Sequence, residues 1–98
     1  MAANLLEAQF SQRLWGAIEE SCRIGYNPVR FRQMLHDQGA MRTARALIAS
    51  GEIQDGMREM ARLNRRDLIL ESIMCEPQFG PLFTRDEIAA AEWRLRQI

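Results

Sequence analysis

The side chains able to do chemistry are few in this chain, apart from arginine. It has one histidine and two cysteines. His36 precedes Asp37 near the predicted end of a helix, where a protonated imidazole is a favourable partner for the helix dipole. Because adjacent helix residues point in different directions, we predict no acid–base pair here. Cys22 and Cys75 fall on apolar helix positions, where a thiol is normally a small buried hydrophobe.

Metal and phosphate sites are also not indicated. A metal site needs three or four clustered ligands, and the spacing of the histidine, cysteines and carboxylates supplies none. Gly51 and Gly56 bracket a turn without the lysine and hydroxyl of a phosphate-binding loop. We therefore expect no catalytic residue, no metal ion and no cofactor, and we predict that the protein is not an enzyme.

Arginine supplies all 13 basic residues and is unevenly distributed. Residues 23–66 carry nine arginines against four acids, whereas residues 1–22 and 67–98 have net charges of −2 and −3. The planar guanidinium recognises phosphate and carboxylate groups through two parallel hydrogen bonds. Six arginines of the predicted third and fourth helices and the following turn form the candidate binding surface: Arg42, Arg45, Arg58, Arg62, Arg65 and Arg66.

Three interpretations of this arginine surface remain open. Clustered arginine is the usual electrostatic signature of a nucleic-acid-binding protein. The same cluster would suit an acidic protein partner. It would also form salt bridges within the chain, for which Glu59, Asp67 and Glu71 are the nearest acids in sequence.

Two tryptophans indicate a protein interface. Trp15 lies at the edge of the apolar face of the first predicted helix, and Trp93 lies opposite the apolar line of Ile88, Ala91 and Leu95. A tryptophan outside the core-facing stripe is a typical interface anchor. The alternative is that the last helix is covered on two sides within one chain. Self-association into a homodimer through that helix also remains open.

Hydrophobic periodicity predicts helices throughout and no sustained strand pattern. The helix over residues 66–75 is apolar on nearly every side, leaving only Glu71 and Ser72 as a polar strip. A helix of that kind is normally buried, so we place it at the centre. The fold class predicted is all-α, a compact bundle of five to six short helices. These span about residues 4–24, 28–38, 40–50, 56–64, 66–75 and 85–98.

Local capping signals support several of these boundaries. Thr84 and Glu87 have the spacing of a capping box, in which each side chain bonds the other residue's amide. Asn27 before a proline predicts a second cap, and Asp55 a third. Gly25 and Gly39 are placed where helices end.

Composition predicts one soluble domain over residues 1–98. Hydrophobic residues make up 47% of the chain and charged residues 27%, as in ordinary globular proteins. No apolar run approaches the roughly 20 residues of a membrane span. With no signal peptide pattern and only two isolated cysteines, we expect a cytoplasmic protein that does not contact membrane.

Four stretches carry a resemblance to known sequences. They are residues 25–35 (GYNPxRFxxML), 42–48 (RxxRxLI), 66–71 (RDLxLE) and 76–88 (EPxFxxLFTxxEI). From about Gly25 onward the chain resembles an uncharacterised family of small helical bacterial proteins and appended modules. The resemblance implies a shared helical fold and no particular reaction.

These observations predict a small non-enzymatic protein that binds a macromolecular partner. A protein partner is the first expectation, with the chain acting as a phage or mobile-element inhibitor or regulator of a bacterial complex. The alternative is a nucleic-acid-binding accessory protein that uses the arginine surface of the third and fourth helices.

Overall fold

Helices account for all the regular structure in the computed structural model, which describes the backbone of residues 2–98 and the side chains of residues 4–98. The α-helices are α1 (Ala2–Arg23), α2 (Val29–Ala49), α3 (Asp55–Arg62), α4 (Leu70–Met74) and α5 (Arg85–Leu95). Two 3-10 helices, Arg66–Leu68 and Pro77–Leu82, lie on either side of α4. The predicted all-α bundle is confirmed.

The centre of the bundle is the stretch around α4. Ile73 and Met74 are completely buried, and α4 packs against α1 and α5. The central apolar segment is therefore where the sequence places it, but it is not one continuous helix. Ile69 has an extended backbone (φ −83°, ψ 137°), and it separates the 3-10 turn at Arg66–Leu68 from α4.

An aromatic cluster joins α1 to the second 3-10 helix. The Phe10 ring meets Phe79 edge-on at 5.2 Å and Phe83 at 5.3 Å between ring centres. Edge-to-face geometry at this separation is favourable because the positive ring edge meets the negative ring face. Phe79 and Leu82 are both buried beneath the bundle.

Local signals set several helix boundaries as predicted. The capping box at the start of α5 is present: the Glu87 amide donates to Thr84 Oγ1 at 3.1 Å, and the Thr84 amide donates to Glu87 Oε1 at 2.8 Å. Gly25 has a φ of 104° just after α1. Gly39 has a φ of 82° and a ψ of 172°, a non-helical backbone that divides α2 into the two helices predicted on either side of it.

Two predicted caps are wrong. Helix α2 begins at Val29 without a side-chain cap, and Asn27 Oδ1 instead accepts a hydrogen bond from Cys22 Sγ at 3.6 Å. Asp55 is the first helical residue of α3, and Gln54 precedes it in the cap position without a capping bond. Helix α2 therefore starts two residues after Asn27, and α3 starts at Asp55 itself, one residue before the predicted start.

Candidate functional site

The arginine surface is engaged with the chain itself at four of its six positions. Arg65 donates from Nε and Nη2 to the two carboxylate oxygens of Asp67, each at 3.1 Å, and from Nη1 to Glu20 at 3.2 Å. Glu20 also accepts from Arg23 at 3.0 Å. These bonds, first from Arg23 and then from Arg65, lower the pKa of Glu20 from 4.5 to about 2. The bonds from Asp67 and Glu20 raise the pKa of Arg65.

Two more of these arginines form ion pairs: Arg62 within one helix and Arg45 between two helices. Arg62 bonds Glu59 within α3 at 3.0 and 2.6 Å, which lowers the pKa of Glu59. Arg45 links α2 to the start of α5, because its Nε donates to Glu87 at 2.8 Å. The pKa of Glu87 is lowered mainly by the Thr84 amide and additionally by Arg45.

The remaining three arginines of the predicted surface are exposed. Arg66 donates to the backbone carbonyls of Leu95 and Ile98 at the end of the chain. Arg42 and Arg58 are exposed and make no ion pair or hydrogen bond with any residue that the structure describes. They lie on different helices, α2 and α3.

The two candidate anchors differ in their surroundings. Trp15 is half-buried and packs against the hydrophobic core, so the core accounts for much of its surface. Trp93 on α5 is 48% exposed, and with Leu5 and Val29 it is one of three large apolar side chains that are exposed among the described residues. The helical spacing surrounds it with Ala89 on one side and Gln97 on the other, and both are exposed.

An ion pair in the interior was missed by sequence reasoning. Arg94 Nε lies 2.6 Å from Glu71 Oε2, and the two side chains are only 1% and 2% exposed. Arg94 also donates to the Ser50 carbonyl at 2.7 Å, to Gln54 Oε1 and to Met57 Sδ at 3.6 Å. One guanidinium thus connects α5 to α4, to the loop before α3 and to α3 itself.

The expected polar strip on the central segment is therefore wrong for Glu71, which is buried. A usable signal was present in the sequence: Arg94 lies next to Ala91 and Leu95 on the buried side of α5, and Glu71 stands in an apolar run. Charged residues on buried faces are normally paired, so each should have indicated the other.

The reactive side chains lie apart. Cys22 is exposed rather than buried as expected, and Arg32 Nη2 lies 2.8 Å from its sulfur. His36 Nδ1 lies 3.2 Å from Asp37 Oδ1, so the prediction that they cannot pair is wrong, although both remain well exposed. The two side chains leave the helix in different directions, but the His36 ring is long enough to turn back toward the Asp37 carboxylate. No hydrogen bond in the described structure joins Cys22 to His36.

The described residues contain neither a metal-binding cluster nor a membrane-spanning helix. Within this part of the chain, no group of three or more histidine, cysteine, aspartate and glutamate side chains could hold a metal ion. None of the described helices has the length and apolar character needed to cross a membrane. Comparison with protein-family models, curated proteins and solved structures gives no match.

Proposed function

We propose that this protein acts by binding a macromolecular protein partner, without catalysis, through the outer face of α5. Trp93 carries the proposal, since about half of a large aromatic side chain lies outside the core. A tryptophan supplies a large apolar contact together with one indole N–H donor, and it is the residue most enriched among interface hot spots. The flanking Ala89 leaves space around the ring for a partner, while Arg96 and Gln97 form a polar rim.

The proposed class of function is the one expected from the sequence, a non-enzymatic protein that binds a macromolecular partner. A small chain with one anchor face suits a regulator or inhibitor of a larger bacterial complex, such as one encoded by a phage or mobile element. A second copy of the chain is another partner that this face would suit, since symmetric dimers pair the same patch on both subunits.

Photo-crosslinking at the anchor tests this proposal. Trp93 is replaced by p-benzoylphenylalanine, an aromatic photoreactive residue, and the protein is illuminated in nuclease-treated extract of its bacterial host. We expect a discrete protein adduct, identified by mass spectrometry. An adduct containing two copies of the chain would identify the partner as the protein itself.

The matched control places the same residue at Leu5, which is 63% exposed on α1. Equal adducts from positions 5 and 93 would mean that the crosslinks report exposure alone, and the proposal would fail. Excess unlabelled wild-type protein should suppress the adduct at position 93, whereas a Trp93→Ala competitor should not.

Nucleic-acid binding is a second candidate with a narrower basis. It rests on Arg42 and Arg58, whose guanidiniums have no partner among the described residues. The other four arginines are already neutralised or bonded locally, which weakens the positive field that attracts phosphate. Retention on DNA or RNA that falls with salt and is lost in Arg42→Glu/Arg58→Glu would favour this candidate.

A further inference from the structure

A cavity of about 430 Å³ lies between α2 and α3. Its inner wall is formed by buried residues of α1, α3 and the 68–71 stretch, including Ile18, Met57, Met60 and Leu70. Its mouth lies at exposed residues of α2 and the following loop, among them Val29. The volume falls within the range of about 300–1,000 Å³ that small-molecule sites occupy.

The cavity exists because α3 does not pack closely on α2. The main packing partner of α3 is the 3-10 helix Arg66–Leu68, which holds α3 away from the long helix. Tyr26 packs against the start of α3, where a Cβ on Gly56 would lie 3.1 Å from the tyrosine oxygen. The space between the helices is thus maintained by contacts at its two ends rather than filled by side chains.

Three methionines give the walls an adaptable apolar surface: Met34 from α2 and Met57 and Met60 from α3. Methionine has an unbranched, polarisable side chain that adjusts to the shape of a bound apolar group. Met34 is half-buried, and the other two are almost fully buried. An apolar ligand body would therefore contact thioether groups on two facing helices.

Glu71 supplies a polar contact at the wall of this cavity. Its Oε2 accepts the bond from Arg94, and no hydrogen bond to Oε1 is present among the described residues. The side chain is 98% buried. Among the described residues the buried side-chain polar atom without a hydrogen-bond partner is Thr43 Oγ1, so Glu71 Oε1 keeps some contact with the space of the cavity. Such an acceptor is open to solvent, and a donor on a ligand would take the place of a water molecule there.

The charge of the pair sets the charge of the ligand. Arg94 neutralises Glu71, so a ligand cation would enter an apolar cavity without a full counter-charge. A ligand carboxylate would meet the Glu71 carboxylate and be repelled. Ser21 adds a hydroxyl at the wall that bonds only the weak acceptor Met60 Sδ, at 3.6 Å.

We propose that this cavity binds an uncharged, mainly apolar small molecule that donates one hydrogen bond, from a hydroxyl or N–H group, to Glu71 Oε1. Aromatic and aliphatic alcohols and indole-like heterocycles belong to this class. The site is distinct from the outer face of α5 that carries Trp93, so it stands independently of the proposed protein partner.

Methionine-methyl NMR on the intact chain tests the proposal with 2-naphthol as the probe. The signals of Met34, Met57 and Met60 should shift in a saturable way. Met74 is fully buried but does not line the cavity, so its signal should stay in place. Shifts at Met74 equal to those at the lining methionines, or no shifts at all, would overturn the proposal.

A matched pair of probes tests the contact with Glu71. Naphthalene-2-carboxylate has the same ring system, but it presents an anion and no donor at neutral pH. We expect it to bind at least about tenfold more weakly than 2-naphthol, because it loses a charge-assisted hydrogen bond and is repelled. Equal affinities would exclude Glu71 as the recognition group.

A blocking variant tests the location without disturbing the ion pair. Ala17 lines the cavity, so Ala17→Leu should place added methyl groups in it and weaken 2-naphthol binding at least about tenfold. Ala49→Leu makes the same change at an exposed position of α2 outside the cavity and should leave binding unchanged. Unchanged binding in a folded Ala17→Leu protein would place the ligand elsewhere. If that variant does not fold, the two probes on the wild-type protein still decide the question.

Discussion

Arg94 and Arg65 both pair with carboxylates, but in different surroundings. The Arg94–Glu71 pair has side chains only 1% and 2% exposed, whereas Arg65 is 33% exposed and its partner Asp67 is 55% exposed. Water and salt weaken the outer pair, whereas the inner pair is shielded from both over most of its surface. The inner pair therefore determines how elements fit together, whereas the outer pair mainly sets the local charge of the surface.

The difference shows in what each arginine connects. Arg94 reaches two helices and the loop that contains Ser50 and Gln54, and its bonds satisfy a backbone carbonyl as well as a carboxylate. Arg65 bridges to Glu20 on α1, but its two closest bonds go to a neighbour two residues along the chain. The same side chain is thus a fold-specifying residue in one place and a surface charge in the other.

The largest effect should come from breaking the inner pair. Arg94→Met removes the guanidinium while keeping much of its volume, and it leaves Glu71 buried without a partner. We expect the free energy of unfolding to fall by about 3–5 kcal/mol, as measured by urea denaturation. This is a large share of the roughly 5–15 kcal/mol typical of a domain.

The matched control removes both charges. Arg94→Met/Glu71→Leu should recover at least about half of the lost stability, because an apolar pair of similar volume needs no counter-charge. A single Arg94→Met change that costs under about 1 kcal/mol would show that the inner pair behaves like a surface pair, and the comparison would not hold.

A smaller effect should follow from breaking the outer cluster. Arg65→Gln should shift the urea midpoint by less than about a fifth of the shift in Arg94→Met, since exposed pairs contribute little. In about 1 M NaCl the Arg65→Gln shift should shrink further, because the Debye length is then about 3 Å. The shift in Arg94→Met should not depend on salt. Arg58→Gln, which breaks no described ion pair, provides the baseline.

The smallest effect should be the acid dependence of the outer cluster. The pKa of Glu20 is lowered from 4.5 to about 2, so its ionised form is favoured in the folded protein. Its contribution to stability is therefore complete above about pH 4.5 and is lost as the pH falls through about 2. The slope of stability against pH in this window should decrease in Glu20→Gln.

Glu19 provides the control for this titration because it is exposed on the same helix and has no described ion pair. Glu19→Gln should leave the slope between pH 2 and 4.5 closer to that of the wild-type protein. NMR titration of the Glu20 carboxyl carbon gives a second measure. A midpoint near 4.5 would contradict the role assigned to Arg23 and Arg65.

Helix boundaries were predictable where a few consecutive residues decide them. The capping box of Thr84 and Glu87 needs only residues three apart, and Gly25 and Gly39 adopt a positive φ that other residues avoid. The predicted caps at Asn27 and Asp55 failed even though they are local. Capping residues act only at the one position before the first helical residue, whereas α2 begins two residues after Asn27 and α3 begins at Asp55 itself.

The candidate sites were predictable only in part. The exposure of Trp93 follows from its position opposite the apolar line of α5, and this is what the structure shows. Which arginines pair was not predictable, because Arg45 meets Glu87 42 residues away and Arg65 meets Glu20 45 residues away. The cavity had no sequence signal, since its walls come from four separate stretches of chain.

The amino-acid sequence by itself determined that the chain is helical, and that the residues around Ile73 form its interior. Apolar spacing, helix caps and glycines act over three or four residues, so short stretches of sequence are enough to determine these features. Tertiary structure alone decided that Arg94 meets Glu71, 23 residues away, and that α3 stands apart from α2. Both depend on how distant segments pack, because a buried charge and an open cavity exist only once the surrounding helices are in place.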